Sequence, residues 1–299
     1  MENKFREKLE SGQFVITAEI GPPKGTDIRE MIEHIKLLAD KVDALNVTDN
    51  QSSVMKYPSL GGCIEIMKAG GMPLLQMTCR DRNRLALESD LLLASRLGIQ
   101  NILALTGDAV TVGDHPQAKP VFDIESVQLI DVINHLGEGV DIGDNKLEGD
   151  PQFFPQFYTG AIVTPEAEPI EPQLIKFEKK VSIGAKFFQT QAIYDLEKFK
   201  KFMDYARKFD VKIMAGIVLL VGPGMAKYMN KNVPGIIVPQ YLIDELVDAG
   251  KGNGLEKGIE IAGRMIREIK QNKLADGVHI MAIGKEAMVP SILKTAGLA

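Results

Sequence analysis

Short apolar runs alternate along the chain with longer segments whose apolar residues recur at helical spacing, and the alternation repeats about eight times. The runs at 14–20, 44–48, 73–78, 101–105, 158–163, 185–190, 211–218 and 277–282 are nearly continuously apolar, as strands buried on both faces are. The segments between them predict amphipathic helices over 27–39, 59–69, 83–97, 125–136, 171–183, 196–208 and 256–272, with a last one at 286–296. Alternating βα units build a parallel sheet. Eight of them predict closure into an α/β (β/α)8 TIM barrel, a single domain over 1–299. An open doubly wound sheet is the competing fold. It favours a glycine-rich phosphate turn after its first strand. Here that turn reads Gly21–Pro22–Pro23–Lys24–Gly25, and its prolines lack the N–H donors that would grip a phosphate. Two stretches break the rhythm, 137–155 and 221–240; both are rich in turn residues and read as loops.

Composition narrows the class of function. At 299 residues the chain has the size of one barrel. Its net charge of −5, with no basic stripe, argues against a nucleic-acid partner. The run Lys198–Phe199–Lys200–Lys201 sits at helical spacing and reads as a solvated face. Cys63 and Cys79 form no CxxC pair, so neither a disulfide framework nor a cysteine-rich metal site is expected. A reducing, cytoplasmic setting follows. The first ten residues are too charged for a signal peptide, and the longest apolar stretch, 213–221, is too short to span a bilayer.

In a barrel the chemistry gathers where the C-terminal ends of the strands meet. The polar residues at those positions are Glu19; Thr48, Asp49 and Asn50; Gln76, Thr78 and Arg80; Thr106, Gly107 and Asp108; Thr164 and Glu166; Gln189 and Gln191; and His279. Glu19 interrupts the run Val15–Ile16–Thr17–Ala18–Glu19–Ile20. A carboxyl group buried in such a run becomes a usable acid near neutral pH; a structural ion pair is the plainer alternative. Asp108 reads equally as a turn or helix-cap residue. The amides Gln76, Gln189 and Gln191 suit the edge of a flat heterocycle, or merely the backbone of the barrel rim. Lys176, Lys179 and Lys180 could reach a phosphate or form one solvated face. The four histidines are scattered without ligand spacing, so no metal site is expected.

The order of these strand-end pieces resembles methylenetetrahydrofolate reductase, a flavin-dependent barrel family. The resemblance rests on Thr17–Ala18–Glu19–Ile20–Gly21–Pro22–Pro23, Asn46–Val47–Thr48, Gln76–Met77–Thr78–Cys79, Leu105–Thr106–Gly107–Asp108, Thr164–Pro165–Glu166, Lys179–Lys180–Val181, Gln189–Thr190–Gln191, Ala215–Gly216–Ile217 and Gly277–Val278–His279. The pieces run in order over nearly the whole chain. The resemblance implies that Glu19 is a general acid for N10 of a tetrahydrofolate substrate and that Asp108 stabilises the iminium formed. It implies that Gln191 holds the pterin, and that Thr48, Gln76, Thr106, Gly107 and Asp108 contact flavin. Lys179 and Lys180 match a pair that binds the flavin phosphates, with Lys176 beside them.

The departures carry information. Thr106 stands where the family often has Arg, so a phosphate-binding guanidinium is missing. FAD is the family default, and FMN becomes the second candidate. After the seventh strand Val218–Leu219–Leu220–Val221–Gly222–Pro223 contains no aromatic where the family commonly has one. An electron-donating partner subunit is therefore expected as an alternative to NAD(P)H, and with it an oligomer or hetero-complex. Two other functions compete. A proline dehydrogenase-like flavin barrel would need an arginine pair near the eighth strand, where only Lys285 stands. A flavin-carrying subunit of an electron-transfer complex would need no acid at Glu19.

Overall fold

The computed structural model describes residues 2–298. The eight strands are β1 (Val15–Ile20), β2 (Ala44–Val47), β3 (Pro73–Thr78), β4 (Asn101–Leu105), β5 (Tyr158–Val163), β6 (Phe187–Ala192), β7 (Lys212–Val218) and β8 (Gly277–Met281). They close in chain order into a barrel, and every neighbouring pair, including β1 with β8, is parallel. The helices are α1 (Lys4–Glu10), α2 (Arg29–Leu38), α3 (Ser59–Lys68), α4 (Arg84–Leu97), α5 (Ser126–Glu138), α6 (Glu171–Ser182), α7 (Leu196–Ala206), α8 (Pro223–Asn232), α9 (Gln240–Asp248), α10 (Gly254–Gln271) and α11 (Val289–Ala296). The expected (β/α)8 barrel is the observed fold. No helix among the described residues is long and apolar enough to cross a membrane.

Packing explains the closure. One apolar layer fills the space between strands and helices, drawing residues such as Ile35, Leu91, Ile130, Phe177, Phe199 and Ile266 from the inner helix faces. A smaller cluster fills the barrel interior with Val15, Ala44, Leu74, Leu103, Tyr158, Phe187 and Met214. Phe5 and Leu9 of α1 join that inner cluster and are fully buried. The Phe5 ring meets Phe187 edge-on at 5.3 Å and Tyr158 at 6.1 Å. Helix α1 thus seals the N-terminal end of the barrel.

Four boundaries differ from the sequence reading. The charged N-terminal segment is a helix, because Phe5 and Leu9 fall four apart on one face. The stretch 221–240 is not all loop: α8 occupies half of it, with Gly222 at the cap and Pro223 at the first helical position. Strand β6 lies two residues further along than expected, and its register against β7 shifts between Gln189 and Ala192. Gly216 of β7 permits this, since a Cβ there would stand 2.2 Å from the carbonyl oxygen of Thr190. The last segment divides into a 3-10 turn, Glu286–Met288, and α11. The insertion 137–155 keeps its loop character, with one antiparallel bridge between Val140 and Lys146.

Candidate active site

A cavity of about 340 Å3 opens at the C-terminal end of the barrel. Glu19, Gln76, Thr106, Gly107, Asp108, Lys176, Lys180 and Gln191 all line it. Residues 19 and 108, far apart in sequence, therefore face one space. Two expected members do not reach it. Thr48 is buried beside the wall, where its backbone N–H donates to Ile20 at 3.3 Å. Lys179 is exposed on α6 outside the cavity lining. Lys180 lies three residues past the buried Phe177, on the inward helix face, whereas Lys179 is rotated by about a third of a turn.

Glu19 sits near the floor, 8% exposed. Its Oε1 accepts a hydrogen bond from Gln76 Nε2 at 3.0 Å and lies 3.5 Å from His279 Nε2. One layer down, Thr17 Oγ1 and His279 Nδ1 are 2.9 Å apart. Gln189 Nε2 donates to Thr17 Oγ1 and to Asn46 Oδ1, both at 3.1 Å, and Asn46 Nδ2 donates back to Gln189 Oε1 at 2.7 Å. This changes the meaning of the amide set. Gln189 is spent on the barrel interior and Gln76 on Glu19. The Gln191 side chain has no hydrogen-bond partner among the described residues and is the amide left for a ligand.

Asp108 follows Gly107 on an exposed turn after β4. It is not a helix cap, because Ala109 holds that position before the short turn Val110–Val112. Its carboxylate has no hydrogen bond or ion pair among the described residues. Gly107 has φ +94, a left-handed backbone that favours glycine. A Cβ there would lie 3.0 Å from Arg80 Cβ and 3.2 Å from Thr78 Cβ. Thr106 turns aside: its hydroxyl donates to Ser126 Oγ at 3.1 Å, at the start of α5.

Arg80 is the residue whose place the sequence reading left without a role. It is 1% exposed yet lines the cavity. Asp81 takes its Nε and Nη2 in a two-pronged pair, each at 2.8 Å, and the Asn50 carbonyl takes Nη2 at 3.0 Å. Its Nη1 has no hydrogen bond among the described residues and lies beside Gly107. A guanidinium thus reaches the Thr106–Gly107–Asp108 turn from the neighbouring strand. The sequence signal was the position itself, just past the end of β3.

Charge across the cavity is divided. Glu19, Asp49 and Asp108 face it together with Arg80, Lys176 and Lys180. Asp49 is committed, accepting from the Thr78 N–H at 2.8 Å, from its hydroxyl at 3.0 Å and from Arg82. Lys180 Nζ donates to the Ile162 carbonyl at 2.8 Å. Burial, together with the neighbouring Lys176, lowers the Lys180 ammonium to about 8. Glu166, expected at the same rim, instead lines a second cavity between α6 and α7, with Thr164 left at the mouth.

A profile of the family described as "Methylenetetrahydrofolate reductase" matches residues 4–297. A Caenorhabditis elegans protein named probable methylenetetrahydrofolate reductase (NADPH) is 27% identical over 75% of this chain, and the match covers 32% of its own length. The chain thus spans about a third of the first relatives it matches. A Pectobacterium carotovorum protein named 5,10-methylenetetrahydrofolate reductase is 25% identical over 96% of this chain and 91% of its own. Among solved structures, a Clostridium thermocellum protein described as binding two copies of 5-methyl-5,6,7,8-tetrahydrofolic acid superposes with a TM-score of 0.63 at 15% identity, covering 98% of each chain.

Proposed function

This chain belongs to the methylenetetrahydrofolate reductase family, and from that premise we propose that it reduces the one-carbon bridge of 5,10-methylenetetrahydrofolate to the methyl group of 5-methyltetrahydrofolate, with a flavin held in the barrel mouth. The observation that carries the proposal is the convergence of Glu19, Asp108 and Gln191 on a single cavity. Its volume of about 340 Å3 lies within the range of small-molecule sites. The left-handed Gly107 leaves backbone where a flat ring system could approach. Arg80, Lys176 and Lys180 supply the donors a flavin phosphate or diphosphate requires, and FAD and FMN are both compatible with that set.

In this reading Glu19, oriented by Gln76, protonates N10 of the folate. The five-membered ring opens and leaves a cationic N5-iminium. The uncommitted carboxylate of Asp108 stabilises that cation, and no protein group among the described residues competes for it. Gln191 holds the pterin edge through its free amide. Reduced flavin, when bound, supplies the hydride that turns the iminium carbon into a methyl group.

Replacing Glu19 by Gln is expected to lower the rate of folate reduction by flavin-reduced protein roughly a hundred- to ten-thousandfold, the usual worth of a general acid. Asp108→Asn is expected to cost roughly ten- to a hundredfold with flavin content unchanged. Wild-type rates in Glu19→Gln would overturn the acid assignment. For the electron source we favour a partner subunit over direct NAD(P)H. Leu219 and Leu220, both buried, follow β7 where the family's aromatic is expected. Stopped-flow mixing of the isolated, flavin-loaded chain with NADH is expected to give reduction far slower than turnover; matching rates would return the role to the nicotinamide.

A further inference from the structure

The two oxygens of Glu19 are not equivalent. Oε1 has Gln76 Nε2 at 3.0 Å and His279 Nε2 at 3.5 Å. Oε2 has no hydrogen bond among the described residues. Which oxygen carries a proton therefore depends on whether His279 Nε2 is itself protonated, and the layer below answers that.

His279 is 2% exposed and stands directly across from Thr17 in the β1–β8 register. Gln189 and Asn46 form a reciprocal pair. Gln189 Nε2 spends its two hydrogens on Thr17 Oγ1 and Asn46 Oδ1. Thr17 Oγ1 is thus an acceptor toward Gln189, which leaves its own hydrogen for His279 Nδ1 at 2.9 Å. An imidazole that accepts at Nδ1 carries its proton at Nε2. That N–H faces Glu19 Oε1.

We infer that His279 is a positioning residue for Glu19: held as the Nε2–H tautomer by Thr17, it turns that N–H toward Oε1 beside the Gln76 donor, so that the transferable proton resides on Oε2. One formed donor and one facing it leave that oxygen with carbonyl character. The same donors then stabilise the carboxylate that remains after the proton has gone. The separation of 3.5 Å is longer than a formed hydrogen bond, and it shortens as negative charge develops on Glu19, as catalytic contacts do on the way to the transition state. This inference rests on the proposed acid role of Glu19.

The direct test is the tautomer. The chain has four histidines, so a 15N-histidine-labelled full-length sample gives a small spectrum, in which His279 is assigned by its loss in His279→Gln. A wild-type Nε2–H pattern is expected, and Thr17→Val is expected to shift it toward a mixture. A wild-type Nδ1–H pattern would overturn the inference. Kinetics supply the second arm, using single turnovers of flavin-reduced protein. His279→Leu is expected to slow methylenetetrahydrofolate reduction by roughly ten- to a hundredfold, the scale of one lost donor to a developing anion. Folate KM and flavin content should stay near wild type, and His279→Gln, which restores an N–H toward Glu19, should recover most of the rate. Equal losses in the Leu and Gln variants, or none in either, would sink the positioning role. Should His279→Leu fail to fold, Thr17→Val carries both readouts. Glu19→Gln in the same assay separates the two ideas. If it retains full rate, the acid assignment has failed; if it loses rate while His279→Leu does not, only the role of His279 has.

Discussion

Glu166 illustrates how far a single carboxyl group can depart from its position in the sequence. It lies three residues past the end of β5, and it is buried at 2% exposure against α7, away from the mouth. Its Oε1 accepts the backbone N–H groups of Tyr194 and Asp195 at 2.8 and 2.9 Å, while Oε2 has no partner among the described residues. Burial outweighs those two bonds and pushes the group up from 4.5 to about 7. A carboxyl group raised on folding binds more protons in the folded state. Its share of stability is intact below about 4.5 and is lost as pH rises toward 7. Urea unfolding at pH 5 and pH 8 should therefore show a smaller loss of stability in Glu166→Gln than in wild type, by on the order of 2–3 kcal/mol at about 1.4 kcal/mol per unit. An identical loss in both proteins would mean that Glu166 is ionised with some partner at both pH values. Glu19 was legible because a charged residue inside an apolar strand has nowhere to point but the barrel interior. Glu166 was not, because past the strand end the chain turns and the alternation of faces no longer applies.

At the scale of elements, helical phase decided what pattern alone left open. The Lys-rich face of α6 offered three candidates, and only Lys176 and Lys180 reach the cavity. Phe177 is buried on the same face as Lys180, so the i, i+3 relation to an apolar residue was the available signal. The helix α8 was missed for a different reason: Gly222 and Pro223 read as loop chemistry, yet at a helix start they are a cap and a first-turn residue. The β6–β7 register shift, which carries Gln191 to the rim, depends on the bare backbone of Gly216 and cannot be read from strand periodicity. The placement of α6 has a measurable consequence. With its ammonium lowered to about 8 by burial and by Lys176, Lys180 is charged at neutral pH and loses its proton just above it. Anion binding then requires proton uptake. The affinity for FMN or FAD, followed by flavin fluorescence, should fall by up to roughly tenfold per pH unit above about 8, and Lys180→Met should bind weakly without that dependence. Riboflavin, lacking phosphate, is the control; if its affinity shows the same pH dependence, Lys180 does not act on phosphate.

The whole molecule separates stability from chemistry along the barrel axis. Eight strands and their closure were readable because the strands are mostly apolar on both faces and the crossovers between them are helical. The seal at the N-terminal end was not, since the charged surface of α1 masks two core residues. Phe5 and Leu9 complete the inner cluster at the end opposite Glu19 and Asp108. The volume they fill supports the strands whose far ends hold the cavity, but no side chain of α1 lines it. Phe5→Ala removes an edge-to-face contact with Phe187 and leaves a void against Tyr158. It is expected to destabilise the fold by about 3–5 kcal/mol, seen as a lower urea midpoint, while the flavin-reduced variant still turns over folate within about threefold of wild type below its melting temperature, because sites at the opposite rim are insulated by a packed interior. Glu19→Gln should behave in reverse, losing turnover with its unfolding midpoint nearly unchanged. Were Phe5→Ala to lose activity in proportion to Glu19→Gln while remaining folded, the two ends of the barrel would be coupled, and the rigid interior assumed for the positioning of Glu19 would have to be abandoned.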